Sequence, residues 1–434
     1  VKRGGAFLVG ATSRLLPLSI PFRFFGAAIA FHLLAWLALL AGSPRLPRFV
    51  GGLDWPLAAL HLVTLGVLVM TALGASLQLL PVATRQPVRS TRWPAVIWAV
   101  YTPGVAAVAL GMGLGRPVWL GAGAVAVAVA LLAWAALLAA NLRGARGMPA
   151  VVVHGWAALG ALAVMLVSAL ALAGQYLGLP LLDRPTALAL HIAFAAYGFM
   201  GLLALGFSYI LVPMFALSAN PDERQAIASC ALAVAALALA ALAAFGIAAL
   251  PLRLAALALG AGAAALHLRL MLAALRTGLR RELGRSFTLV RIGWAGLGLS
   301  LLLALGVALG IDAAGTPTLW ALAGIGGWLL SFLLGMLQRI LPFLASMHVS
   351  RTGKRPPTPS ALTAQRPLAL HFAAHLAALA GLALAIVADN PMLAAMAAAV
   401  GALGAVALAV FFVALWRRLR GGTPTPPPAK PPAA

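Results

Sequence analysis

Charge is scarce in this chain. Only 9% of its 434 residues are charged, and only seven are acidic: Asp54, Asp183, Asp222, Glu223, Glu282, Asp312 and Asp389. Each maps to a loop or a helix edge, so no carboxylate and no lysine falls in the middle of an apolar run. A proton-driven carrier or pump needs a titratable stop inside its helix bundle, and this shortage argues against that class. Cysteine is down to Cys230, which excludes a disulfide framework and any CxxC metal site. Lysine supplies only 3 of 30 basic residues, and with abundant Ala, Gly, Pro and Arg this composition fits a GC-rich bacterial genome.

Apolar residues are what the chain has instead. They make up 63% of it, and the mean hydropathy is +1.05. No water-soluble domain of this size hides so much apolar surface, so the expected solvent and first partner is the lipid bilayer. The formal charge of +23 would suggest nucleic acid in a soluble protein. Here arginines at the ends of spans account for it, setting topology and meeting anionic head groups, and no nucleic-acid partner is expected.

Twelve apolar stretches are long enough to span, near 24–42, 56–82, 95–114, 117–141, 150–178, 186–217, 225–249, 252–275, 287–310, 317–347, 367–388 and 391–416. Residues 1–21, with Lys2, Arg3 and Arg14 and no cleavable signal pattern, read as a cytoplasmic arm. Residues 22–417 form the transmembrane domain. Residues 418–434, basic and then Pro-rich, read as a disordered cytoplasmic tail.

A motif recurs at a fixed period. Gly74-Ala-Ser-Leu-Gln-Leu-Leu-Pro81 on the second span is matched by Gly206-Phe-Ser-Tyr-Ile-Leu-Val-Pro213 on the sixth and Gly335-Met-Leu-Gln-Arg-Ile-Leu-Pro342 on the tenth. The prolines lie 132 (213 − 81) and 129 (342 − 213) residues apart. Such a period predicts three related four-helix blocks, approximately 22–141, 150–275 and 287–416. The glycine is expected to permit close helix approach, and the proline to end each helix at the interface. With a cytoplasmic N-terminus, the outer connections hold Arg45, Arg48, Arg116, Arg184 and Arg253, and the other 25 basic residues lie at inner ends. That bias predicts that both termini are cytoplasmic. Arg269 and Arg339, near helix ends, are expected to snorkel to the inner face.

Histidine is then the titratable type in supply within the spans. His61 and His191 occupy corresponding turns of the second and sixth spans, 20 (81 − 61) and 22 (213 − 191) residues before the proline. Each is a candidate ligand for a haem iron or metal ion, with an interhelical hydrogen bond as the alternative. His32, midway along the first span, is either a second axial ligand or a packed polar residue. His371 and His375 are four apart and share one helix face, a spacing that suits a metal, but their place near the cytoplasmic end also allows simple contact with water. His154, His267 and His348 read as interfacial.

The pattern resembles subunit I of the haem–copper oxidases and the related nitric oxide reductase large subunits. The resemblance is carried by Gly335-Met-Leu-Gln-Arg-Ile-Leu-Pro342 and by the spacing of His61-Leu-Val-Thr-Leu-Gly66 to Pro81. It implies twelve helices in three pseudo-symmetric four-helix repeats, an all-α polytopic membrane protein of a bacterial plasma (inner) membrane. It also implies cytochrome or other respiratory subunits as partners. By this resemblance His61 matches the helix-2 ligand of a b-type haem, and His191 falls near the helix-6 copper ligand. The helix-10 His-x-His is replaced by Trp320 and Leu322, the seventh span has no histidine, and Ala388-Asp-Asn-Pro-Met392 lacks the arginine pair that meets haem propionates. Copper, and with it a complete oxygen-reducing centre, is therefore not expected. Two readings stand: one b-type haem on His61 with His191 or His32, serving respiratory or nitrogen-oxide electron transfer, sensing or assembly; or a cofactor-free scaffold or transporter for a small hydrophobic ligand.

Overall fold

The computed structural model describes residues 16–87, 90–311, 315–350 and 356–420, and these are helical throughout apart from turns and short loops. Twelve helices are long and apolar enough to cross a membrane. They are α1 (Ser19–Ala41), α2 (Trp55–Ala83), α3 (Trp93–Gly113), α4 (Pro117–Arg143), α5 (Pro149–Gln175), α6 (Arg184–Ala216), α7 (Glu223–Ala244), α8 (Ala249–Thr277), α9 (Gly284–Ala308), α10 (Thr316–Val349), α11 (Gln365–Val387) and α12 (Pro391–Arg420). The chain is an all-α polytopic membrane protein. Lys2, Arg3, Arg14, Asp312 and the Pro-rich tail lie outside the described residues. The arm expected over residues 1–21 is already helical from Ser19, and α12 runs to Arg420, into the stretch read as tail.

The acids start helices. The carboxylates of Asp54, Asp183 and Asp222 accept hydrogen bonds from the backbone N–H of Trp55, Thr186 and Gln225, capping α2, α6 and α7. The seventh helix stops at Ala244, short of the expected residue 249, because Gly246 and Ala248 turn the chain at positive φ.

Three helices are interior. The most apolar stretches of α2, α6 and α10 are 67%, 89% and 61% buried, against at most 50% for any other helix. Around them the remaining helices pack as hairpins, α3 on α4, α7 on α8 and α11 on α12. Contacts of α4 with α5, α8 with α9 and α12 with α1 close the outer ring. The connections are also tied across the closure, for the Arg48 guanidinium binds the Asp389 carboxylate between the α1–α2 and α11–α12 turns.

Each interior helix carries a π-helical stretch: Leu62–Val69 in α2, Ala193–Met200 in α6 and Leu322–Leu330 in α10. They begin 19 (81 − 62), 20 (213 − 193) and 20 (342 − 322) residues before the proline. A π turn widens the helix and releases carbonyls from their i+4 partners, and such turns favour functional sites. The Tyr101 hydroxyl donates to the Leu65 carbonyl and Ser331 donates to that of Gly326, so these polar groups are satisfied by side chains inside the bundle.

Close approach recurs at the same positions. A Cβ on Gly74 would lie 2.8 Å from Phe24 on α1, on Gly206 2.8 Å from His154 on α5, and on Gly335 2.5 Å from the Ser286 carbonyl oxygen on α9. A second set of glycines, Gly66, Gly198 and Gly327, stands 15 residues before each proline (81 − 66, 213 − 198, 342 − 327) and meets the same three helices. Small residues of this kind let backbones approach where lipid offers no hydrophobic drive to association.

Two expectations are corrected. The prolines do not end their helices: α2 and α6 continue to Ala83 and Ala216, and α10 runs on to Val349, seven residues past Pro342. A membrane helix tolerates the lost N–H when neighbouring helices pack around it, and the segment about each proline is buried. Arg339 does not snorkel either. Its guanidinium donates to Ser286 Oγ at 2.7 Å and to the Leu283 carbonyl, which binds α10 to the start of α9. Arg269 does reach an exposed partner, Gln225 Oε1 at 2.7 Å.

Substituting Gly335→Ala should force α10 away from α9 and cost about 1–3 kcal/mol of stability, read as a lower thermal midpoint in detergent. Gly298→Ala, whose Cβ would meet nothing within 4 Å, should leave the midpoint unchanged.

Candidate functional site: three groups of intramembrane histidines

Seven of the eight histidines gather in three places. His61 and His191 lie immediately before or one residue before the π stretches of α2 and α6. Their rings are brought together, with centroids 6.2 Å apart and planes within 12° of parallel. That spacing is too wide for face-to-face contact of carbon atoms, which close-pack at about 3.5–4 Å. Both rings retain some accessible surface. His61 Nδ1 is 3.0 Å from the Leu57 carbonyl oxygen. A carbonyl only accepts, so Nδ1 carries the proton and Nε2 keeps its lone pair. His191 Nδ1 is buried without a partner.

The second group sits deeper. His32 on α1 meets His371 on α11 at 6.0 Å between centroids, and His371 meets His375 at 5.9 Å. All three are at most 2% exposed. His371 and His375 were expected to meet water at the inner end of their helix. They are instead buried between helices: His371 Nδ1 donates to the Gly404 carbonyl on α12, and His375 Nε2 meets Ser331 Oγ on α10. His32 was a candidate partner for His61. It faces His371 and Trp36 instead.

The third group lies towards the opposite end of the bundle from the His61–His191 pair. Tyr209 on α6 is flanked by His154 on α5, at 5.3 Å between centroids, and by His267 on α8, at 5.1 Å. His267 Nδ1 and the Tyr209 hydroxyl are hydrogen-bonded at 3.0 Å, and His154 Nδ1 donates to the Ala150 carbonyl at 2.7 Å. His154 and His267 are 1% and 0% exposed, so neither is interfacial as the sequence suggested. Their ring faces are packed between helices rather than turned to head groups. His348 is half-buried and ties α10 to the N-terminal segment through the Leu344 and Leu16 carbonyls.

On α10 the Trp320 indole donates to the Tyr197 hydroxyl on α6 at 2.8 Å. Three arginines of the connections are engaged: Arg45 binds Asp54 at 2.8 Å, Arg48 binds Asp389, and Arg184 donates to the Tyr176 hydroxyl at 3.0 Å. A cleft of about 140 Å³ opens at the C-terminal end of α2, among Leu77, Leu80, Pro81, Trp134, Leu138 and Asn141. Among the described residues, no three His, Cys, Asp or Glu side chains already surround one point as metal ligands. No protein-family model matches the chain, and no curated protein matches it.

Tyr209→Phe would strand His267 Nδ1 in the bundle and should cost about 1–3 kcal/mol, measured as a fall in thermal midpoint. At the N-terminal end of α6, the Thr186 N–H holds the Asp183 carboxyl below its ordinary range. A lowered folded-state value means that the cap contributes fully above the usual Asp range and is lost as pH falls through the lowered value. Asp183→Asn should therefore flatten the acid limb of midpoint against pH.

Proposed function

We propose that this chain is a haem–copper oxidase subunit I-like protein of a bacterial plasma membrane, holding one b-type haem between His61 and His191. In this reading it serves electron transfer in a respiratory or nitrogen-oxide context. The 6.2 Å spacing of those two nearly parallel imidazoles carries the proposal. Two imidazoles on opposite sides of one metal ion, each with a metal–nitrogen distance of about 2 Å, hold their ring centres about 6 Å apart. The donor set also fits. The Leu57 carbonyl orients His61 as outer partners orient metal-bound histidines, leaving Nε2 as the donor, and His191 has a buried nitrogen to offer. Arg184, two turns before His191 and bound to a phenol rather than a carboxylate, is the cation available to a propionate. When bound, the haem would supply a one-electron couple tuned by its axial ligands and their surroundings.

The same reading takes the chain as three related four-helix blocks. Its support is the threefold recurrence of Gly, Gly, Pro and π stretch on α2, α6 and α10, each against the helix before it. Both termini are cytoplasmic on the arginine bias, which puts His61 and His191 towards the outer face, where an external cytochrome subunit could exchange electrons. Oxygen reduction is not part of the proposal, because Trp320 and Leu322 stand where the resemblance would put the helix-10 ligands.

A second reading, a cofactor-free scaffold or carrier for a small hydrophobic ligand, draws support from the mainly apolar cleft beside Trp134. Purified protein from haem-replete cells should show a Soret band and a b-type pyridine haemochrome, both abolished by His61→Ala and by His191→Ala. Wild-type protein without a Soret band would remove the haem and leave the second reading.

A further inference from the structure

We infer that His32, His371 and His375 form a buried site for a monovalent copper ion, distinct from the His61–His191 pair. The tautomers come first. His371 Nδ1 is 3.0 Å from the Gly404 carbonyl oxygen, so it is the protonated nitrogen, and Nε2 carries a lone pair. Ser331 Oγ donates its own proton to the Gly326 carbonyl at 2.9 Å. Its oxygen is then left to accept Nε2–H of His375, also at 2.9 Å, and His375 Nδ1 carries the lone pair. His371 Nε2, His375 Nδ1 and His32 Nδ1 are all buried without a hydrogen-bond partner. The lone pairs of His371 Nε2 and His375 Nδ1, beside the unpartnered Nδ1 of His32, are free to bind an electron-pair acceptor inside the bundle.

A proton and a metal ion are the two charged acceptors that compete for these lone pairs. A proton would make a cation with no carboxylate to meet it. Among the described residues the acids of the membrane helices come down to Glu223 at the start of α7, and the nearest other charges on the packed helices are arginines towards helix ends. The same lack of carboxylate and thiolate selects among metals. The cost of an uncompensated ion in a low-dielectric interior rises with the square of its charge, so a dication is penalised about four times as heavily as a monocation. Copper(I) is the monovalent ion that imidazoles bind well.

Geometry fits a two-coordinate ion. Ring centres 6.0 Å and 5.9 Å apart match a pair of imidazoles across one ion at metal–nitrogen distances of about 2 Å. His371 neighbours both other rings and is the shared ligand. The third ring joins by turning about its side-chain torsions, which agrees with the absence of three donors already converged on a point. The supporting shell is in place. Gly404, where a Cβ would lie 3.0 Å from Ala374, lets α12 approach α11 closely enough for its carbonyl to reach His371. The copper centre not expected from the family resemblance concerned other helices; this trio spans α1 and α11.

The test is anaerobic titration of the purified full chain with copper(I) buffered by bicinchoninate, together with X-ray absorption. Wild-type protein should retain one copper per chain against the chelator, with only nitrogen scatterers at about 2 Å. His371→Leu should lower copper affinity at least a hundredfold, His32→Leu and His375→Leu at least tenfold each, and His61→Ala should leave it unchanged. Complete release of copper by wild type, or sulfur in its absorption spectrum, would overturn the site. So would a loss in His61→Ala equal to that in His371→Leu. If the leucine variants fail to fold, the wild-type retention and spectrum decide alone.

Discussion

Lipid gives helices no reason to associate through apolar surface, because acyl chains solvate leucine as well as another leucine does. What holds this bundle together is proximity of backbone to backbone, and the glycines of α2, α6 and α10 supply it. At Gly335 the neighbouring helix is so near that even a methyl group would press on a carbonyl oxygen. The burial of the three central helices, the ring of hairpins around them and the enclosure of the histidines all depend on that approach.

The π stretches are the second consequence of the same constraint. Widening a helix next to a close contact frees carbonyls that lipid cannot satisfy, so partners must come from inside: Tyr101 for Leu65 and Ser331 for Gly326. Ser331 serves twice, since it also orients His375. Helix geometry and histidine chemistry are thereby coupled through one hydroxyl on α10.

Much of the architecture was legible in the sequence. Apolar length alone located all twelve helices, and the Gly-to-Pro interval marked α2, α6 and α10 as related. The second glycine of each motif, eight residues earlier, stood in plain view and would have strengthened the case. The site was legible only in part. His61 and His191 could be paired because similar distances from a proline, 20 and 22 residues, set a similar depth. His32 and His371 have no such common reference, since their meeting depends on how α1 and α11 rotate about their own axes. The depth of His371 and His375 was misjudged for a different reason. Linear distance from a helix end measures exposure only on a face turned to solvent, and these two side chains face α12 and α10.

The closure of α12 on α1 also sets an order of assembly. His32 is made 339 residues before His371 (371 − 32). At a synthesis rate of 5–20 residues per second that interval is roughly 20–70 s. Throughout it α1 sits in the membrane with a polar imidazole and an unfilled groove, dependent on lipid or on the insertion machinery for shelter. Made long before α12, α1 is among the last of these helices to find its final neighbour, so a ribosome that stops before α11 leaves behind a protein in which α1 is packed on α2 but bare on its α12 side.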